Sequence, residues 1–515
     1  MVKKEIRLQY TGYVMLAAKL IGVATGLIFQ FILARAIAPG SDDYGVWGNI
    51  AYIIPYFTMF AGIVPFWVMR CVARQQQGAT KTGLAMNLVF SAISMLVYLT
   101  VIPIILPWLL AEAQVANPSA YLPIYLIASV QIFEMYLIGV FEPCLQASTP
   151  ESVGYGLILQ QITRVIVAYI IIVPLGQPLL GALIATIIAI LAQLIFYYKL
   201  LAPDLKQRVQ WSYVKEWLKG SILVTYSVIG GQVMAFVFIM LIIFGGVRSM
   251  EIYYLALQIA TVVTHSSSLS FALYPKLLTE KREDHVQDAM KIVLMFALPM
   301  TIGALVLSPS YMLLFRPETV AEFPGSETVL SILAFDSLVV VVSGIYSSVL
   351  IGVETVDHQK LSFRSLVKSN LFLFYSLSFV HSAISIPFSY YALTTFAFQE
   401  PLTAALSVVA INSIARFAMF LALVAIVRKM MKVVIPWRSI GKYCLASAAM
   451  AAILLLLPPS TRISTTLLWT LLGGAVYLCV LVLIDKETRS LPKTVLKEMR
   501  GRNKHGHEEA AFGTI

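Results

Sequence analysis

Pro178-Leu-Leu-Gly-Ala-Leu-Ile-Ala-Thr-Ile-Ile-Ala-Ile-Leu-Ala-Gln-Leu-Ile-Phe-Tyr-Tyr-Lys199 runs for 22 positions with no charge before its final lysine. About 20 mostly apolar residues is the length an α-helix needs to cross the hydrocarbon of a bilayer. The pattern recurs at about 10–34, 45–69, 83–110, 121–146, 154–175, 220–246, 251–275, 292–314, 327–351, 367–388, 401–427, 441–458 and 463–484, which predicts about 14 transmembrane helices. The connections are too short to hold a folded soluble domain. Composition agrees: 59% of residues are apolar and 12% charged, against roughly 45–50% and about 25% in soluble domains. A soluble enzyme, a disordered chain and a disulfide-stapled secreted domain are excluded. The net charge of +11 therefore bears on membrane topology first, and no nucleic-acid partner is expected.

Lys and Arg placement tests the span count. With the N-terminus inside, 30 of the 37 fall in inside segments, and only Arg35, Arg248, Arg316 and Arg462 fall outside. That asymmetry is the positive-inside pattern, and one missed span would invert every later loop. A multi-pass protein of the cytoplasmic membrane with both termini cytoplasmic is expected. Cys71, Cys144, Cys444 and Cys479 are far apart with no C-x-x-C, so neither a metal site nor a disulfide framework is indicated.

The chain also repeats itself. Tyr44-Gly-Val-Trp-Gly-Asn-Ile-Ala51 and Tyr253-Tyr-Leu-Ala-Leu-Gln-Ile-Ala260 open spans two and eight at an offset of about 210 residues, and Pro65 matches Pro275. This predicts an all-α integral membrane protein of two pseudo-symmetric six-helix bundles, residues 1–200 and 220–430. Between them, 201–219 reads as a cytoplasmic interfacial helix, with Trp211, Val214, Trp217 and Leu218 on one face. Two extra transmembrane helices (431–485) and a basic cytoplasmic tail (486–515) follow.

Phe31-Ile-Leu-Ala-Arg-Ala-Ile-Ala-Pro-Gly40, Tyr44-Gly45 and Arg70 resemble the polysaccharide exporter and oligosaccharide flippase family. That family belongs to the multidrug/oligosaccharidyl-lipid/polysaccharide exporter superfamily. Arg35, Pro39, Tyr44 and Gly45 match its pattern. Ala38 replaces the usual Gly, and an extra Ser41-Asp-Asp43 precedes the Tyr. Ile252-Tyr-Tyr-Leu-Ala256 with Tyr274-Pro275 is similar to the second-half signature. The resemblance covers residues 1–430, and the two further spans fit 14-span members. It implies a transporter that moves a polyprenyl-phosphate- or diphosphate-linked oligosaccharide across the membrane by alternating access, for cell-surface polysaccharide or glycan biosynthesis. It implies no cofactor, membrane lipids as partners and a monomeric transport unit. With no ATPase motif, the drive is a gradient, of Na+ or H+ for instance.

Ionisable groups inside spans are costly unless they face a partner or a polar cavity. Lys19 has Gln30 on its side of the first span, Arg164 has Gln160 one turn away, and Arg416 has Asn412 one turn away. These six are the candidate phosphate and sugar cavity, because Arg holds phosphate oxygens bidentately and stays charged. The bland reading is that the arginines fix bundle packing and that Lys19 snorkels. Glu134, Asp336 and His265 are candidates for coupling or charge pairing. Glu134 could neutralise Arg164. Asp336 is either an ion-linked switch or a partner for Arg416. His265 is either a titrating group or a hydrogen-bonded structural one. His381 stands among Ser378, Ser382 and Ser385, which serve close packing or sugar binding. No catalytic or metal-binding motif occurs, so no enzyme is expected. The alternative is a cation-coupled multidrug extruder. A membrane glycosyltransferase using Asp42 and Asp43 is the distant one.

Overall fold

The computed structural model describes residues 8–270, 283–353, 369–485 and 489, and every extended element among them is helical. Tyr274, Pro275 and most of the basic tail lie outside the described residues. The N-terminal half contains α1 (Leu8–Ala36), α2 (Asp43–Thr58), α3 (Ile63–Ala73), α4 (Ala79–Glu112), α5 (Leu122–Ser148), α6 (Pro150–Leu175) and α7 (Pro178–Leu205). A short 3-10 turn joins α2 to α3, so that Asp43–Ala73 is one span. After α8 (Trp211–Gly220) come α9 (Ile222–Gly245), α10 (Val247–Thr264), α11 (Glu283–Val306), α12 (Ser308–Phe315), α13 (Pro317–Glu322), α14 (Glu327–Val353), α15 (Asn370–Thr394) and α16 (Pro401–Met430). The chain continues through α17 (Trp437–Leu455) and α18 (Ile463–Ile484). Prolines open α6, α7 and α16, where a missing N–H costs nothing because the first turn has no acceptor for it.

Thirteen of the described helical segments are long and apolar enough to cross a membrane. The fourteenth expected span is α10, which falls short of that apolarity. It carries Arg248, Glu251 and Gln258, and most of its side chains are buried by other helices. A helix that meets protein on all sides needs no apolar coat for lipid.

Helix packing divides into two lobes. In the first, α6 lies between α1 and α7, and α5 touches α3, α4 and α7. In the second, α15 packs on α9 and α16, and α14 packs on α10 and α16. The pair α17–α18 is added through α11. The lobes meet where α2 crosses α10 and α9, with α1 touching α10 and α12. At Gly45 a Cβ atom would lie 2.2 Å from the Val247 carbonyl oxygen, so the two backbones touch. Gly246, at φ +82°, supplies the left-handed turn that lets α9 reverse into α10. The end of the molecule carrying the α1–α2 loop is here called distal, and the end carrying α8 proximal.

The linker helix α8 docks on the first lobe. The Gln210 N–H donates to Thr82 Oγ1 at 2.8 Å, and Trp67 Nε1 donates to Ser221 Oγ at 2.9 Å. Trp217 is fully buried with Val68 and Leu201, and Tyr213 stacks on it at 5.8 Å. Trp211 and Leu218 are exposed. The expected apolar face is thus split: Val214 and Trp217 turn to protein, Trp211 and Leu218 away from it. The reason is that the Tyr213–Trp217 stack, rather than the whole stripe, meets the lobe.

Candidate functional site

Two arginines approach α10 from opposite lobes. Arg164 comes from α6. Its guanidinium lies 4.7 Å from the Phe29 ring centre, a cation–π contact. One of its NH2 groups donates to Gln161 Oε1 at 2.7 Å. Gln161 lies one turn back on the same helical face, and Thr25 of α1 donates to the same oxygen at 3.4 Å. The Arg164 Nε is buried with no hydrogen-bond partner, and its charge reaches Tyr254 of α10.

Arg416 comes from α16 and pairs with Asp336 of α14 at 2.8 Å. The Asp336 side chain is 5% exposed and that of Arg416 21%. The helix that carries Arg416, α16, packs on α10 and α15. The Tyr52 and Tyr253 hydroxyls are hydrogen-bonded at 3.0 Å across the lobe boundary. The Phe238 ring lies against both, at 4.6 and 4.7 Å. The His381 ring nitrogen lies 3.3 Å from the Asn412 carbonyl oxygen, and Asn412 Oδ1 is buried and unpartnered. Arg164 and Arg416 thus stand on helices of opposite lobes, Arg164 beside α1 and Arg416 on a helix packed on α10.

The other sequence candidates lie elsewhere. Lys19 is exposed, and its charge acts on Glu142 and His265, so it belongs to a separate group. Gln30 is buried and accepts from the Tyr44 hydroxyl at 3.2 Å, which engages its carbonyl oxygen within the core. Gln160 is half-buried, and it is Gln161 that holds Arg164. Glu134 does not meet Arg164: it is buried, with neither carboxyl oxygen hydrogen-bonded.

A third charged cluster, at the distal end, escaped sequence reasoning. Glu251 of α10 and Arg316 are both buried, at 1% and 0% exposure, and pair at 2.9 Å. Thr319 donates to the same Glu251 oxygen at 2.6 Å. Arg248 also pairs with Glu251, and with Glu322 at 2.8 Å. Nearby, burial pushes the Asp42 carboxyl above its ordinary value, ahead of the lowering by the Ala116 N–H and Arg248. The available signal was Arg248 three residues before Glu251, a spacing that puts both on one helical face. Among the described residues no His, Cys, Asp and Glu cluster could hold a metal.

Beside this polar axis is an apolar groove. A cavity of about 710 Å³ lies between α1, α10, α11 and the α17–α18 pair, walled by residues such as Ile28, Phe31, Ile259, Met300 and Leu467. No charged residue lines it. Of its hydroxyls, Tyr311 is bonded to Thr470 and Tyr477 donates to the Met295 carbonyl. The walls α1 and α10 border the arginine helices as well: Phe29 of α1 faces the guanidinium of Arg164 and α10 packs on α16, while Ile28 and Ile259 face the groove.

No protein-family model matches the sequence, and no curated protein matches it. Solved structures do. The chain is similar to the lipid II flippase MurJ in an inward closed conformation, at 15% identity and TM-score 0.65, over 92% of this chain and 98% of that one. It is similar to an inward-facing multidrug resistance MATE transporter of the MOP superfamily, at 15% identity and TM-score 0.58, over 81% and 98%. It is also similar to a MOP superfamily transporter from Pyrococcus furiosus, described as having a binding pocket of reverse polarity. There the identity is 16% and the TM-score 0.53, over 82% and 96%. The chain has the fold of MOP superfamily transporters: all-helical, multi-pass and membrane-embedded. These neighbours are described as transporters, one of them a flippase.

Proposed function

We propose that this chain is a flippase that moves a polyprenyl-phosphate- or diphosphate-linked oligosaccharide across the cytoplasmic membrane, with both termini on the cytoplasmic side. The observation that carries the reading is the sharing of α1 and α10 between an arginine-lined centre and an uncharged groove. A lipid-linked sugar has one part suited to each. Its phosphate meets Arg164 and Arg416, whose planar forks bind phosphate oxygens. Its polyprenyl tail stays among apolar walls. Crossing bare hydrocarbon would leave each sugar hydroxyl unpartnered at several kcal/mol. A cleft between the lobes supplies partners, and rocking about the α2–α10 seam gives alternating access. The helices α17 (Trp437–Leu455) and α18 (Ile463–Ile484) follow the two lobes. Those two helices form one side of the groove, which favours a lipid-bearing cargo.

Glu134 favours a second reading. A buried carboxyl with no partner suits a cation-coupled drug extruder, in which it would meet a proton, Na+ or a cationic drug. Reconstitution separates the two. Proteoliposomes are loaded with a polyprenyl-diphosphate oligosaccharide, and its exposure to an external glycosidase is followed. A cationic dye is tested in parallel under an ion gradient. The flippase reading expects sugar transfer that Arg164→Gln and Arg416→Gln abolish. Dye movement alone, lost in Glu134→Gln, would establish the extruder.

A further inference from the structure

The two helices that end at the distal lobe boundary come from different lobes. α1 ends at Ala36, and α12 ends at Phe315. The last carbonyls of a helix have no partner within it and form the negative pole of its dipole. Here each end is capped by the other's arginine. Arg35 Nε donates to the Leu314 carbonyl at 2.8 Å, and Arg316 NH1 donates to the Ala34 carbonyl at 3.3 Å. The exchange is reciprocal, and both hydrogen bonds cross from one lobe to the other.

Glu251 of α10 reinforces it. Its carboxylate holds Arg316 and Arg248 together, and Arg248 NH1 reaches the Ser41 carbonyl of the first lobe at 3.2 Å. The Arg316 guanidinium also lies 5.6 Å from the Tyr44 ring centre. Three cations of this end, one from the first lobe and two from the second, are thus spent on carbonyls of the opposite lobe.

We propose that Arg35, Arg248, Glu251 and Arg316 form a latch that holds the distal end shut, and that its release opens that end. Its energetics suit a device that must open. The attraction within a buried ion pair is largely cancelled by the cost of taking both charges out of water. Parting the lobes would break the cross-lobe bonds but return water to Arg316 and Glu251. The closed state thus has, beside an apolar contact in which Phe31 meets Phe315 and Tyr44 meets Tyr254 across the boundary, a set of hydrogen bonds to charged donors that can be released. Each such bond is strong enough that its loss shifts a two-state ratio about ten-fold or more.

The test reads lobe separation and no cargo, so its failure leaves the flippase reading untouched. Cys71, Cys444 and Cys479 are replaced by Ser. Spin labels are placed at Ser119→Cys and Phe398→Cys, which are exposed at the distal end of each lobe. Distances are measured in lipid nanodiscs by double electron–electron resonance. The parent is expected to give a short-distance population. Arg35→Ala and Arg316→Gln are each expected to raise a longer-distance population about ten-fold. Arg35 is exposed, so its loss strands no buried charge and Arg35→Ala reports even where Arg316→Gln aggregates. An unchanged distribution in monodisperse Arg35→Ala overturns the latch.

Discussion

If an anionic headgroup meets Arg416, it must compete with Asp336 for the guanidinium. Asp336→Asn keeps the shape of the side chain and removes the competing charge. The magnitude follows from the geometry. The pair is 2.8 Å apart, with the acid almost wholly buried and the arginine a fifth exposed. Fully exposed pairs contribute roughly 0–1 kcal/mol, and stranding one partner of a buried pair costs about 3–5 kcal/mol. A value between them, about 1.5–3 kcal/mol, corresponds to roughly ten- to 150-fold in affinity, at about 1.4 kcal/mol per factor of ten. Purified Asp336→Asn is therefore expected to bind a polyprenyl diphosphate more tightly than the wild type by that factor. Arg416→Gln is expected to bind more weakly, and adding Asp336→Asn to it should then change little, because the two act on one interaction. Calorimetric titration in detergent measures all four proteins. Asp336→Asn binding no tighter would show that the anion never displaces the carboxylate. Transport abolished by Asp336→Asn but not by Arg416→Gln would replace the anion cavity with an acid-coupled extruder.

Gly45→Val should force α2 away from α10, since its Cβ would lie 2.2 Å from the Val247 carbonyl oxygen; a thermal-stability loss of at least about 1–3 kcal/mol is expected, and a wild-type melting curve would refute the close approach. Trp217→Ala should cost about 3–5 kcal/mol, because the ring is fully buried. Trp211→Ala, two turns away and 70% exposed, should stay within about 0.5 kcal/mol; denaturant titration of both checks the orientation of α8. Asp42 carries a pH prediction. Its carboxyl is raised from 3.8, chiefly by burial, so the folded protein holds the proton more tightly than the unfolded chain. That contribution favours folding at low pH and is lost as pH rises through the raised value. Asp42→Asn should flatten the dependence in that window and raise stability at neutral pH; parallel melting-against-pH curves for the two proteins would count against it.

Hydropathy made the architecture legible because lipid-facing helices must be apolar along a bilayer's thickness. It was least informative where helices face protein. α10 looks poor as a span because its environment is other helices. Helical spacing placed Gln30 on the side of Lys19, yet spacing says nothing of a partner from another element. Tyr44 lies beyond the end of α1, and its hydroxyl engages Gln30. Arg164 and Arg416 were visible as charges out of place, whereas their partners are a helix neighbour and an acid 80 residues distant. The distal cluster was hidden for a related reason. Arg35 and Arg316 read as loop charges at span ends, and their acceptors are backbone carbonyls 279 and 282 residues away. Carbonyls leave no mark in a sequence.

The polar helix α10 borders both the arginine-bearing helix α16 and the distal contacts. Glu251 at its distal end holds Arg316 and Arg248. Tyr253, two residues on, is hydrogen-bonded to Tyr52 of the first lobe, and α10 packs on the helix that carries Arg416. Ile259 and Val263, further along, wall the apolar groove. A rigid helix rises about 1.5 Å per residue, so these contacts lie within some 18 Å on one body. If the proposed anion binds at Arg416, its helix packs on the same α10 that carries Glu251, and a shift of α10 along or about its axis is felt at all three places. Close-packed interfaces respond by switching between discrete arrangements rather than by deforming gradually. Occupancy of the centre and closure of the distal end are therefore expected to be coupled through α10. By linkage, the ratio of headgroup affinities for the distal-open and distal-closed states equals the factor by which the headgroup shifts the open-to-closed ratio. Spin-label distances in Arg35→Ala, where the open population is raised, measured with and without saturating polyprenyl diphosphate, give that factor. An open-to-closed ratio in Arg35→Ala that saturating polyprenyl diphosphate leaves unchanged would refute the coupling.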